Sequence, residues 1–208
     1  MATCFYAAAI GYFLGSIPVG YIVAKLAGVD IRSVGSGNIG ATNVTRILGK
    51  KFGYPVFALD LAKGLAAVEL AETMARAAQL GPEYVDLCAA LGAIFSVIGH
   101  SYPVWLGFKG GKGVATSVGA LVAINWPTAI VGCLVWVLVF YTTRYVSLAS
   151  ITASIALPAT IGIMLFCKQL QSPVLLYFSL CLAMIIIFRH RSNVSRLLSG
   201  TEPRFVRK

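Results

Sequence analysis

The chain has 208 residues, of which 58% are hydrophobic and only 12% are charged, and its mean hydropathy is +0.84. Soluble domains are about half apolar and a quarter charged, so this composition excludes an ordinary soluble protein and predicts an integral membrane protein with one domain over residues 1–208. The formal net charge of +10 does not indicate nucleic-acid binding, because no basic patch outside the apolar stretches is interleaved with aromatic residues.

Six apolar stretches are candidates for the helices of roughly 20 residues that cross a bilayer. In chain order they are residues 1–24, 52–74, 87–99, 113–143, 145–167 and 173–188. The first has no basic N-terminal region and no convincing cleavage site, which predicts a retained span rather than a signal peptide. The fourth is too long for one span and is interrupted at Asn125, Trp126 and Pro127, which predicts two short helices joined by a tight turn. We therefore predict an all-α protein with about seven transmembrane helices.

Basic residues are concentrated on one side of this seven-span arrangement. Of the 17 basic residues, 14 lie on that side: Lys25, Arg32, Arg46, Lys50, Lys51, Lys109, Lys112, Arg144, Arg189, Arg191, Arg196, Arg204, Arg207 and Lys208. Arg76 and Lys168 lie opposite, and Lys63 lies within a span. The positive-inside rule predicts that the crowded side and the C-terminus are cytoplasmic and that the N-terminus is outside.

A glycine-rich loop over residues 35–46 follows the first predicted span. Its sequence, GSGNIGATNVTR, combines three glycines with Ser, Thr and Asn side chains that suit phosphate or polyol oxygens. Arg46 can bind a phosphate through two parallel hydrogen bonds. An ordinary turn between spans would not need this composition, and irregular backbone at membrane depth is tolerated mainly where it lines a polar cavity. The pattern favours a binding loop.

A second glycine-rich loop, residues 107–116, lies on the same predicted face and has the sequence GFKGGKGVAT. Its glycines allow successive backbone amides to turn toward an anion, and a following helix presents its positive end to the same place. Lys109 and Lys112 add full positive charge. The pattern predicts a phosphate-binding loop at the membrane.

Two further polar segments lie on the predicted cytoplasmic face. Arg144 and Ser147 open the sixth span, and His190, Asn193 and Leu197 share a helix face at the end of the seventh. Arg144 suits either a topology anchor or a ligand contact, and Asn193 suits either a ligand contact or a helix-end hydrogen bond.

Asp60 and Lys63, three positions apart within the second predicted span, fit a structural ion pair and a functional site equally well.

The two histidines, His100 and His190, have no second ligand at helical spacing, so we expect no metal centre. The five cysteines lie in or beside apolar stretches without a CxxC pair and are interpreted as core residues: Cys4, Cys88, Cys133, Cys167 and Cys181.

Together the loops predict an anionic substrate with two phosphate-bearing parts, because so many desolvated cations would repel one another without matching anions. A nucleoside-triphosphate hydrolase is disfavoured, since Gly113 rather than Ser or Thr follows Lys112 and no strand precedes the loop. An anion channel or transporter is the stronger alternative, although the polar groups cluster on one side only. A purely structural membrane protein would leave both loops unexplained.

Three motifs carry a family resemblance. They are SGNIGATNVTR at residues 36–46, GHSYP at 99–103 followed by FKGGKGVAT at 108–116, and HRSNVSRLL at 190–198 with Glu202. In this order, over nearly the whole chain, they resemble the signature motifs of the membrane-integral acyl-phosphate:glycerol-3-phosphate acyltransferases, the PlsY family. The core motif positions show no departure from the family pattern.

The resemblance implies transfer of a fatty acyl group from acyl phosphate to the 1-hydroxyl of glycerol 3-phosphate, giving lysophosphatidic acid and phosphate. This is the first step of bacterial phospholipid synthesis, at the cytoplasmic face of the inner membrane. The resemblance also implies a transient contact with the peripheral enzyme that produces acyl phosphate. We expect no cofactor.

The same resemblance implies a set of residues around glycerol 3-phosphate, namely Ser36, Arg46, Lys112, Arg144, Ser147, His190 and Asn193. It also implies a set around acyl phosphate, namely Gly107, Gly110, Gly111 and Gly113, with Lys109 as a second phosphate contact. Neither histidine begins an HxxxxD motif, because Trp105 and Ser195 stand five residues after His100 and His190. No nucleophile elbow or activated cysteine indicates an acyl-enzyme. We hypothesise direct attack with a substrate phosphate accepting the proton, and His190 is the rival base.

Overall fold

The computed structural model describes residues 1–205, and within them the chain is helical, with no β-strand. The helices are α1 (Ala2–Ser16), α2 (Val19–Leu26), α3 (Ala41–Leu48), α4 (Lys50–Ala77), α5 (Pro82–Ser101), a short 3₁₀ helix (Val104–Leu106), α6 (Val114–Thr143), α7 (Val146–Phe166), α8 (Val174–Arg189) and α9 (Arg191–Leu198). The all-α class is therefore confirmed. Arg207 and Lys208, which the charge analysis assigns to the cytoplasmic tail, lie outside the described residues.

Four segments of the described chain are long and apolar enough to cross a membrane, namely 2–26, 82–106, 114–143 and 146–166. The pair α8 and α9, bent by 60° at His190, raises the number to five. Helix α4 has 28 residues but carries Asp60, Lys63 and further charges along its length. The count of seven crossings stays a prediction.

The first predicted span is interrupted, which its hydropathy did not reveal. Helix α1 ends at Ser16 and α2 begins at Val19, with Ile17 and Pro18 between them. Proline has no backbone N–H and disfavours helical backbone at the residue before it, so the helix breaks here. The break leaves the Ile17 carbonyl to accept a hydrogen bond of 2.9 Å from Lys63 Nζ of α4.

The predicted interruption of the fourth stretch is confirmed at Asn125, whose backbone is non-helical with φ −156° and ψ 85°. Its side-chain Oδ1 accepts hydrogen bonds from the Thr128 backbone N–H at 3.1 Å and from the Thr128 hydroxyl at 2.7 Å. An Asn that bonds the third amide of the following helix is a typical N-cap. Asn125 therefore ends one helical run and caps the next, with Pro127 in the first turn, where a missing N–H costs little.

The described helices fall into two compact units, Met1–Ile124 and Asn125 onward. In the first unit, α1, α4 and α5 pack against one another. Glycines set the spacing of α1 and α5: a Cβ on Gly15 would overlap the Ser96 carbonyl, and one on Gly99 would overlap the Tyr12 carbonyl. Small residues at such contacts are the usual means of close helix packing in membranes.

In the second unit, α7 packs against α8 and also contacts the short helix α9. The Trp136 ring stacks on Phe140 at 4.9 Å between centroids, and its indole N–H donates to Ser150 Oγ at 3.1 Å. The side chains of Phe178 and Leu182 in α8 are among the most completely buried.

Candidate functional site

Asn43 organises the first glycine-rich loop from the inside. Its side chain is 1% exposed. Its Oδ1 accepts from the Ser36 backbone N–H at 2.9 Å, and its two Nδ2 hydrogens are shared among the carbonyls of Ile31 (3.2 Å), Val34 (3.1 Å) and Asn38 (3.0 Å). These bonds replace the regular backbone pairing that the loop does not have. Sequence reasoning did not assign Asn43 this role, although its position among small polar residues was visible.

The same loop holds Ser36 and Arg46 toward solvent. Ile31, Ile39 and Val44 are buried together under it, so the loop and α3 are anchored by one apolar side. Ser36 and Arg46 are exposed. The structure therefore presents both predicted glycerol 3-phosphate contacts outward from a fixed backbone.

The second glycine-rich loop is less open than its composition predicts. Gly110 and Gly111 donate their backbone N–H groups to the carbonyls of Ser101 at 3.2 Å and His100 at 3.0 Å, and Lys109 donates its own to Leu106 at 3.3 Å. These amides are used within the chain. Glycine is needed at 110 and 111 for another reason: a Cβ at either position would overlap His100, which lies directly beneath.

The predicted lysines of this loop differ in their surroundings. Lys109 is exposed, whereas Lys112 is half-buried between Gly111 and Gly113, which are both buried. Gly113 has a φ of +82°, a value that a side chain disfavours. Lys112 therefore extends from a tightly packed backbone, and Lys109 from the outer surface of the loop.

Below this loop, three ionisable side chains are buried together in the first unit. Asp60 is 2% exposed, Lys63 7% and His100 5%. Lys63 Nζ lies 2.7 Å from Asp60 Oδ1 and 3.0 Å from His100 Nδ1. The sequence predicted the Asp60 and Lys63 pair but not the third member, because His100 is 37 positions from Lys63 along the chain.

In the second unit, the carboxylate of Glu202 holds two of the predicted site residues. Ser147 Oγ donates to Glu202 Oε1 at 2.5 Å, Asn193 Nδ2 donates to the same oxygen at 2.7 Å, and Arg196 Nε donates to Oε2 at 2.8 Å. Burial by itself would raise the pKa of Glu202, but these hydrogen bonds outweigh it, and the pKa lies below its ordinary value. Glu202 thus brings Ser147 and Asn193 together. Glu202 is part of the third motif, but the sequence assigned it no role.

His190 lies at the bend between α8 and α9 and is 2% exposed. Its Nδ1 is 2.8 Å from the Ile186 carbonyl. A carbonyl can only accept, so Nδ1 carries the proton and, in the neutral ring, Nε2 carries the lone pair. This tautomer suits either a base or an acceptor of a substrate hydroxyl.

Arg144 occupies the turn between α6 and α7 with a φ of +64°, an unusual conformation for a residue with a side chain. Its carbonyl accepts a hydrogen bond of 2.9 Å from the Phe205 N–H. Its guanidinium is exposed and lies over the Tyr141 ring, 5.4 Å from the centroid. The backbone of Arg144 is therefore fixed while its charge faces outward.

A model of the family described as glycerol-3-phosphate acyltransferase matches residues 5–200 of this chain. The chain belongs to the glycerol-3-phosphate acyltransferase family. Relatives of that name include the protein of Aquifex aeolicus, 48% identical over 195 residues that cover 93% of this chain and 95% of the relative. Another is the protein of Brucella anthropi, 46% identical over 194 residues that cover 92% and 88% of the two chains.

Two solved structures of this acyltransferase family are similar to the chain as well. One is PlsY, an integral membrane glycerol 3-phosphate acyltransferase, in its glycerol 3-phosphate form, with a TM-score of 0.86 and 42% identity over 98% of this chain and 96% of the other. The second is the lysophosphatidic acid form of PlsY, with a TM-score of 0.84 and 41% identity. The predicted membership of a membrane-integral acyltransferase family is confirmed.

Proposed function

We propose that this protein transfers a fatty acyl group from acyl phosphate to the 1-hydroxyl of glycerol 3-phosphate, forming lysophosphatidic acid and phosphate, the first step of bacterial phospholipid synthesis. The observation that carries the proposal is the similarity, over 98% of the chain, to PlsY structures in a glycerol 3-phosphate form and a lysophosphatidic acid form. Those two molecules are a substrate and the product of this reaction. Acyl phosphate as the donor is supported by the motif resemblance and by the second lysine-bearing, glycine-rich loop.

On the strength of the motif resemblance, we assign to glycerol 3-phosphate the residues Ser36, Arg46, Lys112, Arg144, Ser147, His190 and Asn193. The exposed guanidinium of Arg46 on a fixed helix supports a two-pronged contact with phosphate. Ser147 donates its one hydroxyl hydrogen to Glu202, so toward a substrate it has acceptor capacity only. Asn193 donates an amide hydrogen to Glu202, which fixes the orientation of its side chain.

Acyl phosphate is assigned to the loop that contains Gly107, Lys109, Gly110, Gly111 and Gly113. Because the amides of Lys109, Gly110 and Gly111 donate within the chain, we assign the attraction for the phosphate of acyl phosphate mainly to the Lys109 side chain. The glycines serve to keep the loop close to His100.

In the proposed reaction, the 1-hydroxyl oxygen of glycerol 3-phosphate attacks the acyl carbonyl carbon. A new ester C–O bond forms, the C–O bond to phosphate breaks, and the hydroxyl proton passes to a phosphate oxygen. Phosphate is a good leaving group, so positioning and stabilisation of negative charge supply most of the acceleration. His190 with a lone pair on Nε2 is the alternative proton acceptor.

We place the protein in the bacterial inner membrane with about seven crossings, the N-terminus outside and the site facing the cytoplasm. The asymmetry of 14 basic residues on one side and two on the other supports this orientation. Reporter fusions after Leu80 and after Ser199 test it, because the orientation requires the first to be outside and the second inside. We also propose that acyl phosphate arrives through transient contact with the peripheral enzyme that makes it.

The deciding experiment uses the purified protein in lipid with labelled glycerol 3-phosphate and palmitoyl phosphate, with palmitoyl-CoA and palmitoyl acyl-carrier protein as alternative donors. Lysophosphatidic acid from palmitoyl phosphate alone supports the reaction and its donor. Product from the thioesters only would overturn the donor assignment. Absence of product together with passage of labelled anion into sealed vesicles would indicate a transporter.

A second experiment separates the two proton acceptors. In His190→Ala, loss of nearly all turnover with unchanged binding of glycerol 3-phosphate would contradict substrate assistance and indicate a histidine base. Weakened binding with substantial turnover at saturation would assign His190 to the pocket. Binding is measured by calorimetry in the same lipid preparation.

A further inference from the structure

The buried group of Asp60, Lys63 and His100 has no part in the chemistry proposed above, yet it lies directly beneath the loop that carries Lys112. Burial of charged groups is costly unless each is paired, so retaining them here requires compensating contacts. The contacts of the Lys63 ammonium supply that compensation and also fix the state of the histidine.

An ammonium group has three hydrogens to donate and cannot accept. Lys63 Nζ has three acceptors in reach: Asp60 Oδ1 at 2.7 Å, the Ile17 carbonyl at 2.9 Å and His100 Nδ1 at 3.0 Å. Asp60 Oδ1 lies farther from His100 Nδ1, at 3.4 Å, so the carboxylate is paired with the lysine. Nδ1 of His100 is then an acceptor, and the neutral ring carries its proton on Nε2.

The Nε2 side of the His100 ring supports the loop. The Gly111 backbone lies against this edge so closely that a Cβ on Gly111 would overlap Nε2. The Gly111 N–H also donates to the His100 carbonyl at 3.0 Å, and a Cβ on Gly110 would overlap the same carbonyl. The orientation of the His100 ring therefore fixes the position of the Gly111 backbone, which continues directly to Lys112.

Helix α4 also contacts the other end of this loop. Gly64, next to Lys63, packs against the Thr116 carbonyl in the first turn of α6, where a Cβ would overlap it. A displacement of Lys63 would therefore reach the loop through both His100 and Gly64. One end of segment 110–116 therefore contacts His100 of α5, which Lys63 contacts in turn, and the other end contacts Gly64 of α4.

We propose that Asp60, Lys63 and His100 are positioning residues for acyl transfer, acting through Gly111 on the loop that holds the acyl phosphate. The inference rests on the function proposed above. Misplacing a binding group by about 1 Å can cost roughly 100-fold in rate. We therefore expect removal of this support to lower kcat/KM for acyl phosphate by about 10- to 100-fold. The change in the KM for glycerol 3-phosphate should be smaller, because Lys112 is the one residue assigned to that substrate that lies on this loop, whereas Ser36 and Arg46 lie on another segment.

The first test uses Asp60→Ala/Lys63→Met, which removes both buried charges together and so leaves no uncompensated ion. We expect a thermal unfolding temperature close to that of wild type but a 10- to 100-fold loss in kcat/KM for palmitoyl phosphate. The matched control is Glu72→Ala/Arg76→Ala, an exposed ion pair of 2.9 Å on the same helix, for which we expect unchanged constants. A stable Asp60→Ala/Lys63→Met protein with wild-type kinetics would overturn the proposal.

The second test approaches the same contact from the loop and does not depend on changing α4. Gly111 has no positive φ, so Gly111→Ala perturbs the site only through its Cβ. We expect Gly111→Ala to be strongly impaired and Gly111→Ala/His100→Ala to be no worse than His100→Ala alone, because the smaller side chain removes the overlap. Losses that multiply in the double variant would show that the ring does not act through Gly111. A wild-type protein inactive with palmitoyl phosphate would instead refute the proposed function itself.

Discussion

Replacing Glu202 by glutamine should destabilise the second unit and weaken binding of glycerol 3-phosphate. The carboxylate accepts from Ser147, Asn193 and Arg196 at 2.5, 2.7 and 2.8 Å, and its side chain is 6% exposed. Glutamine keeps one acceptor oxygen but turns the other into a donor. If the oxygen stays toward Ser147 and Asn193, the amide nitrogen faces Arg196 Nε, so two donors meet.

The magnitude follows from these three contacts. A hydrogen bond to a charged group contributes about 1.5–3 kcal/mol and a neutral one about 1 kcal/mol, so neutralising the acceptor weakens two bonds by about 1 kcal/mol each. The Arg196 side chain is 40% exposed, so solvent screens its ion pair with Glu202, and loss of this pair adds about 1 kcal/mol to the destabilisation. We expect a loss of about 2–3 kcal/mol, which corresponds to a fall of roughly 5–10 °C in unfolding temperature for a protein of this size.

The functional effect should appear in the KM for glycerol 3-phosphate. The hydrogen bond that orients Asn193 becomes weaker, and a loss of about 1.4 kcal/mol in substrate binding raises the apparent KM tenfold. The assay combines thermal unfolding in detergent, followed by tryptophan fluorescence, with initial rates at varied glycerol 3-phosphate. Glu69→Gln, at an exposed position of α4, is the control. An E202Q protein with wild-type unfolding temperature and wild-type KM would refute the reasoning.

Three further predictions follow from individual contacts. The pKa of Glu202 is lower in the folded state than its ordinary value of 4.5. The ionised carboxylate therefore contributes its full stabilisation above pH 4.5 and loses it as the pH falls through the lower folded pKa. Wild type and E202Q should differ in unfolding temperature at neutral pH and converge at acid pH. Asn43→Ala removes a hydrogen-bond partner from four backbone groups, of which the Val34 carbonyl keeps the Gly37 N–H. The variant should cost about 1–3 kcal/mol in unfolding free energy and raise the KM for glycerol 3-phosphate; an unchanged KM would separate the Asn43 network from the site. Cys4 and Cys88, with sulfur atoms 2.8 Å apart, should crosslink on mild oxidation, detected by mass spectrometry of peptides, whereas a Cys88→Ser protein should show no such crosslink.

Features that depend on local sequence could be predicted. The interruption at Asn125 was visible because an Asn and a Pro stand together in an apolar run, and the two glycine-rich loops were visible because their composition differs sharply from the spans. The all-α class followed from composition. In each case the determining residues are neighbours along the chain.

Features that depend on contacts between distant residues could not be predicted. Glu202 meets Ser147 across 55 positions, and Lys63 meets His100 across 37. The use of the Gly110 and Gly111 amides inside the chain was likewise hidden, since a glycine-rich loop has the same composition whether its amides face an anion or a carbonyl. The helix break at Pro18 was not predicted because the residues around it are apolar, and hydropathy does not distinguish a broken helix from a continuous one.

Glu202 is the sole carboxylate among residues 125–208, which also contain eight basic residues: Arg144, Lys168, Arg189, Arg191, Arg196, Arg204, Arg207 and Lys208. The difference, 8 − 1, is a formal charge of +7. With its single acid engaged by Ser147, Asn193 and Arg196, this half of the sequence has no other internal counterion. This excess of positive charge attracts anions from outside the polypeptide, such as anionic lipid headgroups, substrate phosphates or buffer ions. The detergent and salt used in purification therefore also determine which counterions the protein has. Preparations in zwitterionic micelles at low ionic strength should be the least stable.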